Sequence, residues 1–288
     1  MQIVTLLSSP GVHISCEVFP PKDFAKVDEV KAVVADIAAL TPAYVSVTYG
    51  AAGNTPQFTR EIAQTVQAAG VPALAHLTCV NDTISKIDAV LDSLQAAGVD
   101  NVLALRGDIP EGASFPSGDH FTHAAQLVRY VKARGGFCVG AACYPEGHPE
   151  ATSRAQDMDF LKRKVDAGVD FLTTQLFFDN ATLYHFMYRA LRAGIDVPVC
   201  AGIMPVINAR QIKRIAALSG ATLSPRFWSI VDRFGGDAAS MRQAGVAYAT
   251  EQIIDLIANG VENIHLYTMN RVDVARDVFR NLGVIIGK

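Results

Sequence analysis

Short hydrophobic runs alternate with longer amphipathic segments along the whole chain. The runs predict eight β-strands, at residues 13–20, 44–50, 72–80, 101–107, 137–145, 171–178, 197–206 and 263–270. The segments between them have helical periodicity; in residues 26–40, for example, apolar positions recur every three or four residues. The first seven strands begin 26 to 36 residues apart, close to the length of one strand–helix unit. Eight such units predict a parallel sheet that closes into a TIM barrel, a single domain over residues 1–288.

The alternative parallel fold is an open, doubly wound sheet. Its usual dinucleotide fingerprint, G-x-G-x-x-G after the first strand, is absent from this chain. The last unit of the repeat is longer than the others, because an extra helical stretch is predicted at about residues 224–234. The barrel is therefore the favoured fold.

Polar residues interrupt the predicted strands at every second position. Strands of a parallel barrel are buried on both faces and are normally apolar, so alternating polar residues mark one face as different. The residues expected on this face are Ser15 and Glu17 in the first strand, Ser46 and Thr48 in the second, His76 and Thr78 in the third, Ala104, Arg106 and Asp108 in the fourth, and Thr173 and Gln175 in the sixth. We expect these faces to line the barrel interior near the carboxyl ends of the strands, where barrel enzymes place their chemistry.

These polar side chains either hydrogen-bond one another within the core or surround a ligand. For a single Ser or Thr the first explanation is favoured. A buried charge costs several kcal/mol unless it is paired. Because Glu17, Arg106 and Asp108 occur together with His76 and Gln175, the pattern favours a polar cavity built for a ligand.

Composition restricts the class of protein. Hydrophobic residues make up 50% of the chain and charged residues 18%, so a large core can form. The net charge of −3 provides no basic excess, and nucleic acid is therefore not an expected partner. The amino terminus lacks the basic and long apolar regions of a signal peptide, and no apolar stretch approaches the ~20 residues of a membrane span. We expect a cytoplasmic protein that does not associate with membranes.

The cysteines fit a reducing compartment. The five are widely scattered in apolar runs, at positions 16, 79, 138, 143 and 200, and most are expected to be small buried hydrophobic residues. Cys138, Cys143 and His148 match no standard zinc spacing, so no metal site is predicted.

Polar residues that follow the fifth and eighth strands suit a ligand with hydroxyl and phosphate groups. Asp157 and Lys164 are seven residues apart on a predicted helix and share one face. A carboxylate accepts hydrogen bonds from ribose hydroxyls, and an ammonium group suits phosphate. Arg271 follows the eighth strand and adds a cation at the same rim. The alternatives are a solvated helix face for the first pair and an ordinary surface position for Arg271.

Nine short segments together resemble the catalytic barrel of the methylenetetrahydrofolate reductase family. They are EVFPP at 17–21, VSVTYG at 45–50, HLTC at 76–79, LRGD at 105–108, YPEGHPE at 144–150, KRKVDAG at 162–168, TQLFFD at 174–179, GIMP at 202–205 and YTMNR at 267–271. Each is a weak signal alone, but they occur in the family's order and cover almost the whole chain.

The resemblance implies an enzyme that reduces 5,10-methylenetetrahydrofolate to 5-methyltetrahydrofolate with FAD as cofactor and NAD(P)H as donor. Turnover would be ping-pong at one shared site, and the protein would be a homo-oligomer. The residues implied to hold FAD are Thr48, His76, Arg106, Asp108, Ala142, Tyr144, His148, Asp157 and Lys164. The implied catalytic residues are Glu17, Asp108 and Gln175, and those implied to contact substrate are Glu17, Gln175, Gln211, Ile215 and Arg271.

Glu17 is implied to be the general acid. The methylene bridge between two folate nitrogens is a poor hydride acceptor, but protonation of one nitrogen opens it to an iminium whose carbon accepts hydride. The acid must therefore hold its proton near neutral pH, and burial in an apolar strand together with a nearby Asp108 is expected to favour this.

The chain departs from the family pattern at two positions. His123 stands where the family often has Tyr, and Ile215 stands where some members have an aromatic residue that stacks on substrate. The chain also stops soon after the eighth strand, so we expect no regulatory domain and no inhibition by S-adenosylmethionine.

Two other functions remain open at this point. One is a flavin-free, pterin-binding transferase on the same barrel. The other is a flavin-carrying folate reductase subunit that takes electrons from a partner protein. The sequence permits this function because it contains no motif that indicates binding of NADH. Reduction of the flavin by NADH alone would separate the latter from the self-sufficient enzyme.

Overall fold

Eight parallel strands form a closed barrel in the computed structural model, which describes residues 1–49, 56–80, 82–109, 119–210, 212, 215–216 and 220–287. The strands are β1 His13–Val18, β2 Val45–Val47, β3 Ala73–Thr78, β4 Asn101–Leu105, β5 Cys138–Cys143, β6 Phe171–Thr174, β7 Val199–Ile203 and β8 Asn263–Tyr267. Each pairs with the next along the chain, and β1 also pairs with β8. The predicted TIM barrel is confirmed.

Every observed strand lies inside a predicted one but is shorter, mostly at the carboxyl end. In the sixth unit, for example, pairing stops at Thr174 although the apolar residues 176–178 continue the hydrophobic run. The residues that follow leave the sheet and build the rim above it. The prediction of strand ends was therefore wrong where rim residues are apolar.

Helices connect the strands and surround the barrel. In the described residues they are α1 Ile3–Leu7, α2 Val27–Ala38, α3 Pro56–Ala68, α4 Ile84–Ala96, α5 Ala124–Arg134, α6 Arg154–Asp166, α7 Asn180–Arg192, α8 Pro225–Phe234, α9 Ala238–Ala258 and α10 Val272–Leu282. Helix α8 is the predicted extra helix, and its start is fixed by Ser224, whose side chain accepts a hydrogen bond from the Phe227 amide, with Pro225 as the first helical residue. None of the helices in these residues is both long and apolar enough to cross a bilayer.

The apolar residues form an outer layer and an inner plug. Outward-facing residues of the strands, such as Cys16 and Val18, pack against the helices. The inner plug fills the amino-terminal end of the barrel and consists of Ile3, Leu7, Tyr44, Leu74, Leu103, Cys138, Phe171 and Cys200. Helix α1 closes this end, because the Ile3 amide donates to the Asn101 side chain at 2.8 Å. All five cysteines are free and buried, as expected.

The predicted facing of the fourth strand was wrong. Leu103 is paired in register with His76, and Leu105 with Thr78, so the leucines face the barrel interior. Ala104, which was expected inside, is paired with Leu77 and packs against the helices. From residue 102 to residue 105 the inward and outward positions of β4 are equally apolar, so the alternation of polar and apolar residues did not indicate the facing there.

Candidate active site

A cavity of about 830 Å³ opens at the carboxyl ends of β3, β4 and β5 and is bounded by α5 and α6. This volume lies in the range of small-molecule sites. Eight of the nine residues predicted to hold the cofactor line it, namely His76, Arg106, Asp108, Ala142, Tyr144, His148, Asp157 and Lys164. The ninth, Thr48, follows the end of β2, where its amide donates to the Val18 carbonyl at 3.1 Å.

The inward residues at the end of β4 are leucines, and Arg106 and Asp108 follow the strand. A turn at Gly107 brings these two polar residues to the cavity. The Gly107 backbone is left-handed, with φ of +85°, and an added Cβ would lie 3.0 Å from the Thr78 Cβ. Glycine is the residue that adopts this conformation without strain. The turn redirects the chain after Leu105, and both polar side chains line the rim.

Helix α6 supplies one wall of the cavity. It begins at Ser153, whose side chain accepts from the Gln156 amide, and this start places Asp157 in the first turn and Lys164 two turns later. The Lys164 ammonium donates to the Ala142 carbonyl, and desolvation lowers its pKa. Desolvation also raises the pKa of Asp157. The alternative of a solvated helix face does not fit these two positions.

Arg106 forms a two-point ion pair with Glu150 at the mouth of the cavity. Its two terminal nitrogens lie 2.6 and 2.7 Å from the carboxylate oxygens. The hydrogen bond raises the pKa of Arg106 and lowers that of Glu150. Because Glu150 is exposed, the pair adds little to stability. The charged, planar guanidinium group of Arg106 is held at the rim of the cavity by this pair.

The sequence reasoning missed several residues of this cavity. They are Tyr49, Asp82, Lys86, Gln126 and Glu150, in addition to the questioned His123. Tyr49 donates to Asp82, which also pairs with Lys86. His123 caps the first turn of α5, with Gln126 accepting from its amide. Tyr49 and Glu150 lay within segments that the resemblance had marked, and the other residues did not.

Glu17 lies below this rim, buried in the barrel interior. The parallel pairing sets it beside Ser46 of β2 and Tyr267 of β8. Its Oε2 atom accepts from the Ser46 hydroxyl at 3.4 Å and lies 3.7 Å from Nε2 of His76 and 3.8 Å from Nε2 of His265. Asp108, the neighbour expected from the sequence, instead interacts with Arg106 and Tyr144.

His265 was not predicted as a site residue. Its ring is 1% exposed and is paired in register with Ser15. Counting back by two from Tyr267 would have placed it on the inward face of β8, since the alternation holds along this strand.

Gln175 follows β6 at the same end of the barrel. Its amide donates to the Cys143 carbonyl at 2.7 Å, and its side-chain oxygen accepts from the Leu176 amide at 2.9 Å. These two bonds hold the loop and leave the side-chain NH₂ group to donate elsewhere.

A second cavity, of about 260 Å³, lies beside the turn that follows β8. Ile215 and Arg271, both predicted to contact substrate, line it together with Thr268. Arg271 pairs with Asp273 through two contacts of 2.9 Å. Gln211, the remaining predicted substrate residue, lies outside the described residues.

The whole chain is similar to known proteins. A family model for methylenetetrahydrofolate reductase matches residues 3–283. The 5,10-methylenetetrahydrofolate reductase of Escherichia coli is 33% identical over 274 residues, which cover 95% of this chain and 91% of that protein. Methylenetetrahydrofolate reductase (NADH) 1 of Zea mays is 34% identical over 285 residues, 94% of this chain but 48% of its own, so this chain spans about half of the plant protein.

Solved structures support the fold. A Clostridium thermocellum protein that binds two copies of 5-methyl-5,6,7,8-tetrahydrofolic acid superimposes with a TM-score of 0.68 at 12% identity, covering 99% of both chains. A Xanthomonas albilineans dihydropteroate synthase gives a TM-score of 0.53 at 15% identity over 97% of this chain and 94% of its own. At these identities the likeness concerns the barrel alone.

Proposed function

The chain belongs to the methylenetetrahydrofolate reductase family, and we propose that it reduces 5,10-methylenetetrahydrofolate to 5-methyltetrahydrofolate, with FAD as cofactor and NAD(P)H as donor. Turnover is ping-pong, with donor and folate using one site in turn. One observation carries the proposal: a buried carboxyl group, Glu17, lies in the barrel below a large cavity whose lining includes charged side chains such as Arg106 and Lys164.

The donor set of the cavity fits a dinucleotide. Lys164 is a desolvated cation whose partner is a neutral carbonyl, so it is available to an anion such as a pyrophosphate. Asp157 on the same wall can accept from ribose hydroxyls, and Arg106 is a second cation at the mouth. His148, whose pKa is lowered by desolvation, contributes a neutral ring. The bound flavin would supply the hydride.

The protein's own part in the reaction is to orient the substrate and to protonate it. Glu17 gives a proton to a folate nitrogen, which opens the methylene bridge and makes its carbon electrophilic. Asp108 and Gln175, at the rim above it, orient the pterin. Ile215 and Arg271, which line the second cavity, contact the rest of the folate. Gln211 completes this group of substrate contacts.

Anaerobic mixing of the purified protein with NADH, and separately with NADPH, tests the first half-reaction. We expect the yellow colour of the bound flavin to bleach with at least one donor and to return when methylenetetrahydrofolate is added. A colourless protein that takes up no FAD would refute the proposal in favour of a flavin-free enzyme. A yellow protein that neither nucleotide bleaches would point to a protein electron donor.

Glu17→Gln tests the role of the acid. This change preserves the shape of the side chain and removes the transferable proton, so flavin bleaching by NADH should proceed at nearly the normal rate while folate reduction is lost. Loss of both half-reactions to the same degree would remove Glu17 from the acid role.

We also propose that the protein works in the cytoplasm as a homo-oligomer, in the metabolism of one-carbon units that supplies methionine synthesis. Size-exclusion chromatography with light scattering tests the assembly; a monomer at all concentrations would contradict it.

A further inference from the structure

Glu17 lies between two histidine rings that reach it from other strands. Its Oε2 atom is 3.7 Å from Nε2 of His76 on β3 and 3.8 Å from Nε2 of His265 on β8. These distances are roughly 1 Å longer than a hydrogen bond. Bonds between acid–base groups often tighten only when the ligand binds.

The contacts of Ser15 determine which nitrogen of His265 carries hydrogen. The Ser15 Oγ atom is 3.1 Å from the Ile264 carbonyl oxygen and 2.7 Å from Nδ1 of His265. A hydroxyl has one hydrogen and a carbonyl oxygen only accepts, so both contacts are hydrogen bonds only if Ser15 donates to Ile264 and Nδ1–H donates to Ser15. In the neutral ring, Nε2 then carries a lone pair, and this is the atom that faces Glu17.

His76 is arranged in the opposite sense. The Ser46 hydroxyl donates to Glu17 at 3.4 Å and is 3.1 Å from Nε2 of His76. As long as Ser46 donates to Glu17, the same count of hydrogens places on Nε2 of His76 the hydrogen that it shares with Ser46. Burial lowers the pKa of His76 to about 4, so this ring is neutral at cellular pH. In this arrangement Nε2 of His76 offers Glu17 no lone pair.

Tyr267 is the remaining titratable group that faces Glu17 in the part of the chain that the structure describes. Its phenol donates to the Thr174 carbonyl at 2.7 Å, away from Glu17. Burial raises its pKa well above the ordinary value, so it stays uncharged. Of the three groups, only His265 presents an acceptor to the acid.

We propose that His265, oriented by Ser15, is a positioning residue that accepts a hydrogen bond from the protonated carboxyl of Glu17 and so favours its proton-carrying form. This inference rests on the proposed function, in which Glu17 protonates folate. A neutral nitrogen with a lone pair accepts a hydrogen bond from the carboxylic acid. The same lone pair repels the negative oxygen of the carboxylate, so the contact favours the protonated form of Glu17 over the ionised form. After the proton has moved to the folate nitrogen, the same contact favours uptake of a replacement proton from solvent.

The orientation of His265 can be measured without folate or nicotinamide. Nitrogen NMR of protein with isotope-labelled histidine rings distinguishes a ring protonated at Nδ1 from one protonated at Nε2 or at both, and the His265→Asn variant identifies the signal. At neutral pH we expect hydrogen on Nδ1 alone in the wild type, and loss of this preference in Ser15→Ala. Hydrogen on Nε2, or on both nitrogens, would overturn the proposal.

The effect on Glu17 is measured in the folate half-reaction as a function of pH. Asn in place of His265 can still donate to Ser15 but has no atom at the Nε2 position, whereas Gln can place its amide oxygen there. For His265→Asn we expect the pH of half-maximal rate to fall by about one unit, which is about a tenfold loss on the alkaline side. His265→Gln should recover most of this loss. Ser15→Ala should shift the profile in the same direction as Asn, and His185→Asn, exposed on α7, is the matched control.

The outcomes are distinct. A shift to higher pH in His265→Asn would mean that the ring carries a positive charge, and an unchanged profile would mean that it has no influence; either overturns the proposal. Flavin bleaching by NADH should be unaffected in every variant, so equal loss of both half-reactions would also contradict it. If His265→Asn does not fold, the pH profile of Ser15→Ala tests the proposal instead. If the wild type reduces no folate, the proposed function fails, while the NMR result still decides the orientation of His265.

Discussion

Asn270 supports the backbone that carries Glu17, and its removal tests how much the acid depends on this support. The Asn270 side chain accepts from the Phe19 amide at 2.8 Å and donates to the Phe19 carbonyl at 3.0 Å. Thr268 donates to the Glu17 carbonyl at 2.5 Å. Met269 and Asn270 both have left-handed backbones, with φ of 52° and 57°. The turn after β8 therefore holds the end of β1 through three hydrogen bonds and a backbone conformation that Asn tolerates better than most residues.

The expected cost of Asn270→Ala follows from these contacts. Two neutral hydrogen bonds contribute about 1 kcal/mol each. A left-handed alanine adds about 1 kcal/mol. The unfolding free energy should thus fall by about 3 kcal/mol, which for a chain of 288 residues lowers the melting temperature by roughly 5 °C. Asn270→Gly loses the same bonds without the backbone strain but gains entropy when unfolded, so its decrease should be slightly smaller.

Thermal unfolding followed by circular dichroism measures both variants, with Asn259→Ala at the exposed end of α9 as the control. The folate half-reaction should slow in both Asn270 variants while flavin bleaching by NADH does not. A melting temperature equal to the wild type, or a glycine variant clearly less stable than the alanine variant, would refute the reasoning.

Three further changes test other parts of the structure. Lys164→Met removes a desolvated charge whose partner is a carbonyl, so the apoprotein should keep its melting temperature while FAD affinity, measured by flavin fluorescence, falls at least about tenfold; unchanged affinity would contradict the cofactor site. Gly107→Ala forces a left-handed alanine whose Cβ meets Thr78, and should lower the unfolding free energy in urea by about 1–3 kcal/mol; a neutral result would show that the turn can relax. The pKa of His76 is about 4 when folded and 6.5 when unfolded, so the unfolded state binds the proton first as pH falls. Stability present above pH 6.5 should therefore be lost towards pH 4, by about 1.4 kcal/mol per pH unit, and His76→Asn should flatten that slope in urea titrations at each pH.

The sequence predicted the barrel well because each strand is a short apolar run and each helix an amphipathic one. It predicted the facing of a strand only where the two faces differ in polarity. In β1, Ser15 and Glu17 alternate with Cys16 and Val18, and the structure has the expected facing. In β4 no such difference exists after Asn101, and Arg106, which suggested one, lies beyond the end of the strand.

The partners of the site residues were not predictable in the same way. The pair between Arg106 and Glu150 joins residues 44 positions apart, and the contact between Ser15 and His265 joins residues 250 apart. Such contacts depend on strand register and on where each strand ends, which the hydrophobic pattern does not specify. The hydrophobic pattern predicts which face of a strand a residue lies on, but the tertiary structure determines which other residue it contacts.

The two explanations of the polar strand faces turn out to apply at different depths of the barrel. Deepest are the hydroxyls of Ser15 and Ser46, which bond the rings of His265 and His76, so these side chains satisfy one another inside the core. Towards the rim, Arg106 and its neighbours line the cavity instead. A buried polar network costs little only when its members are paired. Glu17 accepts from Ser46 of this network and lies 3.7 Å from His76, which lines the cavity, so of the two buried groups it is the one that the proposed function uses as an acid.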